Sequence, residues 1–483
     1  MGTIPVLTPA GMRAWERATW AAGVREEDVI ARVGDRVAAA ALRLGGAGPF
    51  LLLAGKGHNG DDVRAAARAL RGRDVTLVEI GDPALALPGV ASALGRRPSL
   101  VVDGLFGTGL NRPLSGDWAR LAGLLNSARA RVLAVDVPSG LNALDGTSWG
   151  AVVRADETMA VGGVKTGLLA SAATPWVGRV SVAEDVGLVP WEGAGIPDGE
   201  IAGEWGGCEP EGWVPMRERD VHKGRMGHVM VLGGSVGYHG AEVMAVRGAL
   251  GANPGLVTAW THPGCYVPVA AQLASAMVWP WDAVREVPWG VTCVVVGPGM
   301  AGEGVAEAWR DRVRGWWDGC PATMVVDASA LEWIGPGKVR AVAPRVITPH
   351  PGEAARLLGM TAAAVQADRS GAWRRLAEMF DGAWVVLKGH GTIVGRAGGR
   401  PWWNSTGNPW LAQGGSGDVL AGYLGGLLAQ PQLAEDAGRT VRHGVREHGA
   451  AADRLQARGT GWTTEDLARE VGRGGAGAGG VGA

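Results

Sequence analysis

Short apolar runs separated by stretches of helical periodicity recur along the whole chain. In the first half, runs at 50–54, 75–80, 100–103 and 132–136 read as strands, and the spacing over 11–22 and 26–44 predicts two opening helices. The second half repeats the rhythm, with strands expected at 228–232, 256–260, 293–297, 324–327 and 345–348, then a hairpin from 384–388 and 392–394. A helical run at 419–428 and helices at 433–456 and 464–471 close it. Apolar strands alternating with helices imply parallel sheets covered on both faces, whose ligands bind at the carboxyl ends of the strands. Residues 190–213 are Gly-, Pro- and acid-rich without any period, which predicts a linker. The expected organisation is α/β, in two domains, 1–189 and 214–471, followed by a Gly/Ala tail at 472–483 too poor in apolar surface to order itself.

Composition narrows the class. A chain of 483 residues exceeds one ordinary domain, and 47% hydrophobic content gives each half a packed core. A net charge of −1 without a basic stripe argues against a nucleic-acid partner. No apolar run is long enough for a membrane span, and the start of the chain lacks the pattern of a secretory signal. Cys208, Cys265, Cys293 and Cys320 are scattered, as reduced thiols in a cytoplasmic protein would be. The aromatic balance is unusual, 22 Trp against three Phe and three Tyr, and reads mainly as core and surface filling.

The most specific chemistry lies in Gly414-Gly415-Ser416-Gly417-Asp418, which leads into the helical run. Small residues let backbone N–H groups approach an anion, and the helix start adds its positive dipole end. Asp418 then places a carboxylate beside a phosphate cradle, suited to taking a proton from an alcohol during phosphoryl transfer. His443 and His448 are five apart on a predicted helix and diverge by about 140°, so a zinc pair is not expected.

Three more segments give the pattern a family. His222-Lys223-Gly224, the run Thr348-Pro349-His350-Pro351-Gly352-Glu353, and Lys388-Gly389-His390-Gly391-Thr392, together with the Gly-rich loop, resemble the ribokinase-fold enzymes that dehydrate hydrated NADH and NADPH. In the first half GKGHNGDD from Gly55, VVDGLFGTGLNRPLSG from Val101 and LAVDVPSGLNALDG from Leu133 resemble the epimerase domain acting on the two stereoisomers of those hydrates. The whole chain thus resembles the fused NAD(P)H-hydrate repair enzymes. The resemblance implies an N-terminal Rossmann-like three-layer α/β/α sandwich and a C-terminal ribokinase-like α/β/α domain.

That resemblance implies site residues. Asp418 would deprotonate the C6 hydroxyl of the hydrate. Ala241, Gly299 and His350 would line the hydrate pocket, while Lys388, Gly389, His390, Gly391, Thr392, Gly415 and Gly417 would hold ADP with magnesium. In the epimerase half Asp136 would abstract or return a proton at the hydrated carbon. Asn59, Asp103 and Ser139 would bind potassium, and His58, Asn59, Gly60, Asp61, Asp62, Gly107, Thr108, Gly109, Leu110, Asn111 and Arg112 would hold the rest of the substrate. A homo-oligomer without nucleic-acid or membrane partners is expected. The chain departs from the family at Trp410 and Gln413, where small residues are usual, and at Asp61 and Val63, which replace glycines. Asp61 is expected to repel a pyrophosphate. A ribokinase-type kinase of a small alcohol or vitamin precursor, with a non-catalytic N-terminal binding domain, is the alternative reading.

Overall fold

Alternation along the strands decides the layering of the unit Thr3–Trp205. Phe50, Leu52 and Ala54 enter one core with Val29, Val33 and Val37 of the helix Glu26–Gly45 and Val63 of His58–Ala69. Leu51 and Leu53 enter a second core with Val90 of Pro83–Gly95 and Leu121 of Asp117–Ser127. A two-residue period therefore builds three layers, with helices on both faces of one sheet. Its six strands run in the order Val75–Glu79, Phe50–Ala54, Leu100–Gly104, Arg131–Val135, Glu157–Val161, Arg179–Ala183, and every pairing is parallel. The computed structural model describes residues 3–206, 214, 217–281, 286–301, 305 and 307–474.

Residues 190–205, expected as linker, are instead built into this unit. The strand Ile201–Trp205 pairs antiparallel with Ile4–Leu7, which pairs parallel with Val164–Lys165. Trp191 and Ile196 pack on Leu7, Met12 and Trp15, and Trp191 Nε1 donates to the Thr3 carbonyl at 2.7 Å. The apolar residues were present in the sequence, but spaced too irregularly to show as an element. The remaining expected linker, 207–213, lies outside the described residues.

In the unit from Gly206 onward the strands run Met277–Pro280, Leu256–Thr261, His228–Gly233, Cys293–Val296, Thr323–Val326, Arg345–Ile347, Trp384–Leu387, Ile393–Gly395, Trp402–Trp403. All pair in parallel up to Trp384–Leu387, and the last two are antiparallel. The chain first winds outward from His228–Gly233 and then restarts on its other side at Cys293–Val296. That reversal opens a crevice at the carboxyl ends of these two strands. The helix Ser416–Leu428 is buried from Val419 onward and crosses His239–Gly251 at close range. A Cβ on Gly422 would sit 1.8 Å from the Ala245 carbonyl oxygen, so only glycine admits this crossing.

The expected helix at 433–456 is two helices, Pro431–Ala434 and Ala437–Arg458, because the Asp436 side chain accepts from Arg439 N at 3.0 Å and caps the second. The start of the expected tail is anchored: Gly472 N and Gly474 N donate to Glu447 Oε1 at 3.2 and 3.4 Å. Residues 475–483 lie outside the described residues. Among the described residues no helix is long and apolar enough to cross a membrane.

Candidate active sites

The Gly-rich loop of the second unit is held from below. Gly415 caps the helix in a left-handed conformation, φ 95°, and the Ser416 hydroxyl donates to the Leu411 carbonyl at 2.8 Å. His448 Nε2 lies 2.9 Å from the Ser416 carbonyl; burial lowers this histidine to about 4, so its neutral ring donates to that carbonyl. His448 is thereby a support for the loop. Trp410 and Gln413 scaffold the same segment. Trp410 sits half exposed on a turn capped by Asn408, and Gln413 Nε2 donates to the Trp410 carbonyl at 2.8 Å.

Around the first turn of this helix the strand ends bring charges together. Lys388 Nζ pairs with Asp327 Oδ1 at 2.7 Å and lies 4.0 Å from Glu353 Oε2. A Cβ on Gly417 would be 3.2 Å from Lys388 Nζ and 3.9 Å from Asp327 Oδ2, so the pair faces the Gly-rich turn. Burial raises the Asp418 carboxyl to about 7; the Asp327 and Glu353 charges add to the rise, and Lys388 opposes it. Burial also raises Glu353. One ammonium thus faces three carboxyl groups at the Gly-rich turn.

His350 caps the helix Pro351–Leu358: Nδ1 accepts from Gly352 N at 3.0 Å, while Glu353 Oε2 accepts from His350 N at 2.7 Å. Its ring remains half exposed. Gly299 and Ala241 meet, since a Cβ on Gly299 would be 3.3 Å from that of Ala241, and the Ser235 hydroxyl fixes the Gly299 carbonyl at 2.6 Å. The turn of Gly389, His390, Gly391 and Thr392 is braced by buried Arg369, whose Nη2 donates to the Leu387 and Lys388 carbonyls at 3.1 Å.

Sequence reasoning missed Asp327, Arg369 and the structural side of Glu353. A signal existed only for Asp327, which ends a predicted strand at the sheet's carboxyl edge. Glu242 was also missed. It is wholly buried behind Gly234 and Thr261, and burial raises its carboxyl to about 8.

In the first unit Asp136 follows the strand Arg131–Val135 with φ 67°, an unfavourable conformation for a residue with a side chain. Its carboxylate accepts a short hydrogen bond from Lys165 Nζ, and the Lys165 ammonium also donates to the Val161 and Gly163 carbonyls at 2.9 and 3.0 Å. Lys165 is 1% exposed and was absent from the sequence-derived site.

Asn59, Asp103 and Ser139 converge. Ser139 Oγ donates to Asp103 Oδ1 at 2.7 Å, and Ser139 N to Asp103 Oδ2 at 2.9 Å. Asn59 Nδ2 reaches the Phe106 and Val135 carbonyls at 3.1 and 2.8 Å, and the Ser139 hydroxyl receives Phe106 N at 3.0 Å. Asp103 is fully buried with no cationic partner among the described residues, and burial raises its carboxyl. A buried acid of this kind would suit a single monovalent cation.

The rest of the loop is dispersed. His58 points to Glu26, with Nδ1 3.2 Å from Oε1, and Gly60 is required because a Cβ would lie 2.0 Å from the Gly55 carbonyl oxygen. Asp61 Oδ1 accepts from Arg64 Nη1 at 2.8 Å. Arg64 is shared with Glu79, which accepts from its Nε and Nη2 at 3.0 and 2.6 Å, so the Asp61 charge is only partly offset on its own helix. Val63 is buried in the core against Gly104. Residues 107–112 form a half-buried to exposed loop at the sheet's carboxyl edge.

A family profile described as NAD(P)H-hydrate dehydratase matches residues 229–473, and one described as YjeF-related protein N-terminus matches 82–167. The bifunctional NAD(P)H-hydrate repair enzyme Nnr of Coxiella burnetii is 32% identical over 476 residues, covering 93% of this chain and 94% of that protein. The chain belongs to the bifunctional NAD(P)H-hydrate repair enzyme family. The family's Escherichia coli member is 35% identical over 438 residues, covering 85% of this chain and 81% of its own. A crystal structure of ADP/ATP-dependent NAD(P)H-hydrate dehydratase from Bacillus subtilis, co-crystallised with ATP and Mg²⁺, overlaps 54% of this chain and 92% of that one, at 27% identity and a TM-score of 0.48. Within the repair-enzyme family match, the N-terminal profile spans Asp103, Asp136, Ser139 and Lys165 but stops short of the first loop, Gly57 to Val63. That loop is where Asp61 and Val63 depart from the family pattern.

Proposed function

We propose that this chain repairs hydrated NADH and NADPH in the cytoplasm, its first unit interconverting the two epimers and its second dehydrating the S form at the expense of ADP. The observation that carries the reading is Asp418, a carboxyl tuned to about 7 in the first turn of a helix whose Gly-rich start can cradle phosphate. In the dehydration Asp418 takes the proton of the C6 hydroxyl as that oxygen attacks the terminal phosphoryl group of ADP. Backbone N–H groups at Gly415 and Gly417 hold the moving group. The ring nitrogen's electron pair then expels phosphate, and loss of the neighbouring ring proton restores the dihydronicotinamide double bond, giving NAD(P)H, AMP and phosphate. Magnesium accompanying ADP would offset phosphate charge. Ala241, Gly299 and His350 frame the hydrate, and Lys388 to Thr392 the nucleotide.

The direct test incubates the full-length protein with mixed hydrate epimers and ADP and follows the absorbance of the reduced cofactor. Full recovery of absorbance from both epimers is expected; none with ADP or ATP refutes the reading. Because the base must be ionised, the dehydration rate should rise with pH through about 7. A rate flat from pH 5.5 to 8 removes Asp418 from that role.

In the first unit Asp136 moves a proton, and Asn59, Asp103 and Ser139 would hold potassium. Epimerisation should then increase with potassium, while dehydration of pure S hydrate stays unchanged. Equal epimerisation in potassium-free buffer would eliminate the ion.

A further inference from the structure

Beside Asp136 lies a second carboxyl, Asp62, to which the family resemblance gives no more than a part in holding the substrate. Asp62 is 6% exposed on the helix His58–Ala69, three residues after Asn59. Residues three apart on a helix share a face. Asn59 uses that face to reach the carbonyl of Val135, the residue before Asp136, at 2.8 Å. Asp62 therefore lies on the helix face turned to that strand end, close enough for the charges of Asp136 and Lys165 to act on it.

The reacting centre sets the chemistry. C6 of the hydrate bears a hydroxyl and is bonded to the ring nitrogen, so its C–H is not acidic, whereas its C–O bond breaks readily once the oxygen is protonated. Inversion through loss and return of water uses an acid on one face and a base on the other. We propose that Asp62 is the second catalytic residue of the epimerase: its carboxyl protonates the departing C6 hydroxyl on one face, and the Asp136 carboxylate deprotonates the water that adds on the other. The nitrogen's electron pair forms the C=N bond as water leaves, and returns to nitrogen as the new C–O bond forms. One passage leaves Asp62 ionised and Asp136 protonated, the form that acts on the opposite epimer, so protons balance without a further reactant. The inference rests on the epimerase reading of the first unit, and replaces proton abstraction at the hydrated carbon with exchange at its oxygen.

The charges around Asp62 suit this role. Burial raises its carboxyl to about 8, and Asp136, Asp61 and Glu16 of the helix Pro9–Ala21 reinforce the rise against Lys165. Glu16 is itself raised by burial, and His58, on the same helix as Asp62, turns outward to Glu26. At neutral pH Asp62 thus holds a proton beside an ion pair whose carboxylate can accept one.

Full-length Asp62→Asn should lose about 100-fold or more in epimerisation kcat with KM within a few-fold, and Asp62→Glu should recover part of it. ADP-dependent dehydration of pure S hydrate, in the same chain, should be unaffected and reports that the protein is folded. The wild-type epimerisation rate should fall as pH rises through about 8. In heavy-oxygen water the wild type should place label in the hydroxyl of the product epimer, and in deuterated water no deuterium at C6. An Asp62→Asn protein with more than half the wild-type rate, or deuterium at C6, overturns the proposal while leaving the epimerase reading standing. A wild type that dehydrates the S form but never epimerises overturns both.

Discussion

Replacing Asp418 by Asn removes dehydratase turnover, by about 10²–10⁴-fold, and leaves ADP binding within a few-fold. The amide keeps the shape of the carboxylate and its place in the first turn of Ser416–Leu428, so the Gly415 and Ser416 geometry that frames the phosphate is retained. What it loses is the capacity to accept a proton. Steady-state rates against calorimetric ADP affinity separate the two effects. Removing one of three neighbouring carboxyl groups also relieves repulsion among Asp327, Glu353 and position 418. The variant should therefore be at least as heat-stable as the parent, which excludes unfolding as the cause of lost activity. A variant keeping more than half the wild-type rate would deny Asp418 the role of base.

How much of this was legible beforehand depends on how local the cause is. The strands that align a site, Phe50–Ala54 and His228–Gly233 among them, are short apolar runs bounded by turns, and their ends were placed within a residue or so. Asp418, Asp136 and the Asn59, Asp103, Ser139 set stand in continuous motifs at such ends. Lys165 was not legible. It follows Asp136 by 29 positions and reaches it only because a two-residue strand, Val164–Lys165, pairs with Ile4–Leu7 near the chain's start. Arg369 braces the Lys388 turn from a helix with no motif of its own.

Two departures from the family pattern took their meaning from partners three residues away. Asp61 pairs with Arg64 one helical turn on, and Arg64 is shared with Glu79, so the Asp61 charge is partly offset. Gln413 looked like an intrusion into the phosphate loop until its amide was seen to tie the Trp410 carbonyl. Residue type announces a charge or an amide, and only the fold determines where that group is satisfied.

Lys388 carries the second large effect. Its ammonium pairs with Asp327, whose side chain is 2% exposed, and lies close to Glu353, so Lys388→Met leaves two buried carboxyl groups without a cation. Breaking a buried pair from one side costs about 3–5 kcal/mol. For a unit of this size that is a fall in Tm of roughly 10 °C. The loss should depend on pH in a direction fixed by linkage. Without the ammonium Glu353 and Asp418, already raised by burial, rise further above their unfolded values, so the folded state binds more protons than the unfolded one, and stability recovers as pH falls. Thermal unfolding at pH 5 and pH 7.5 should show the smaller deficit at pH 5. An equal deficit at both would assign the loss to packing of the aliphatic stem. The same substitution withdraws the Lys388 charge that holds Asp418 down, and the acidic limb of any residual dehydration should move above about 7. A limb that stays in place while Tm falls would mean that Lys388 stabilises the fold without tuning the base.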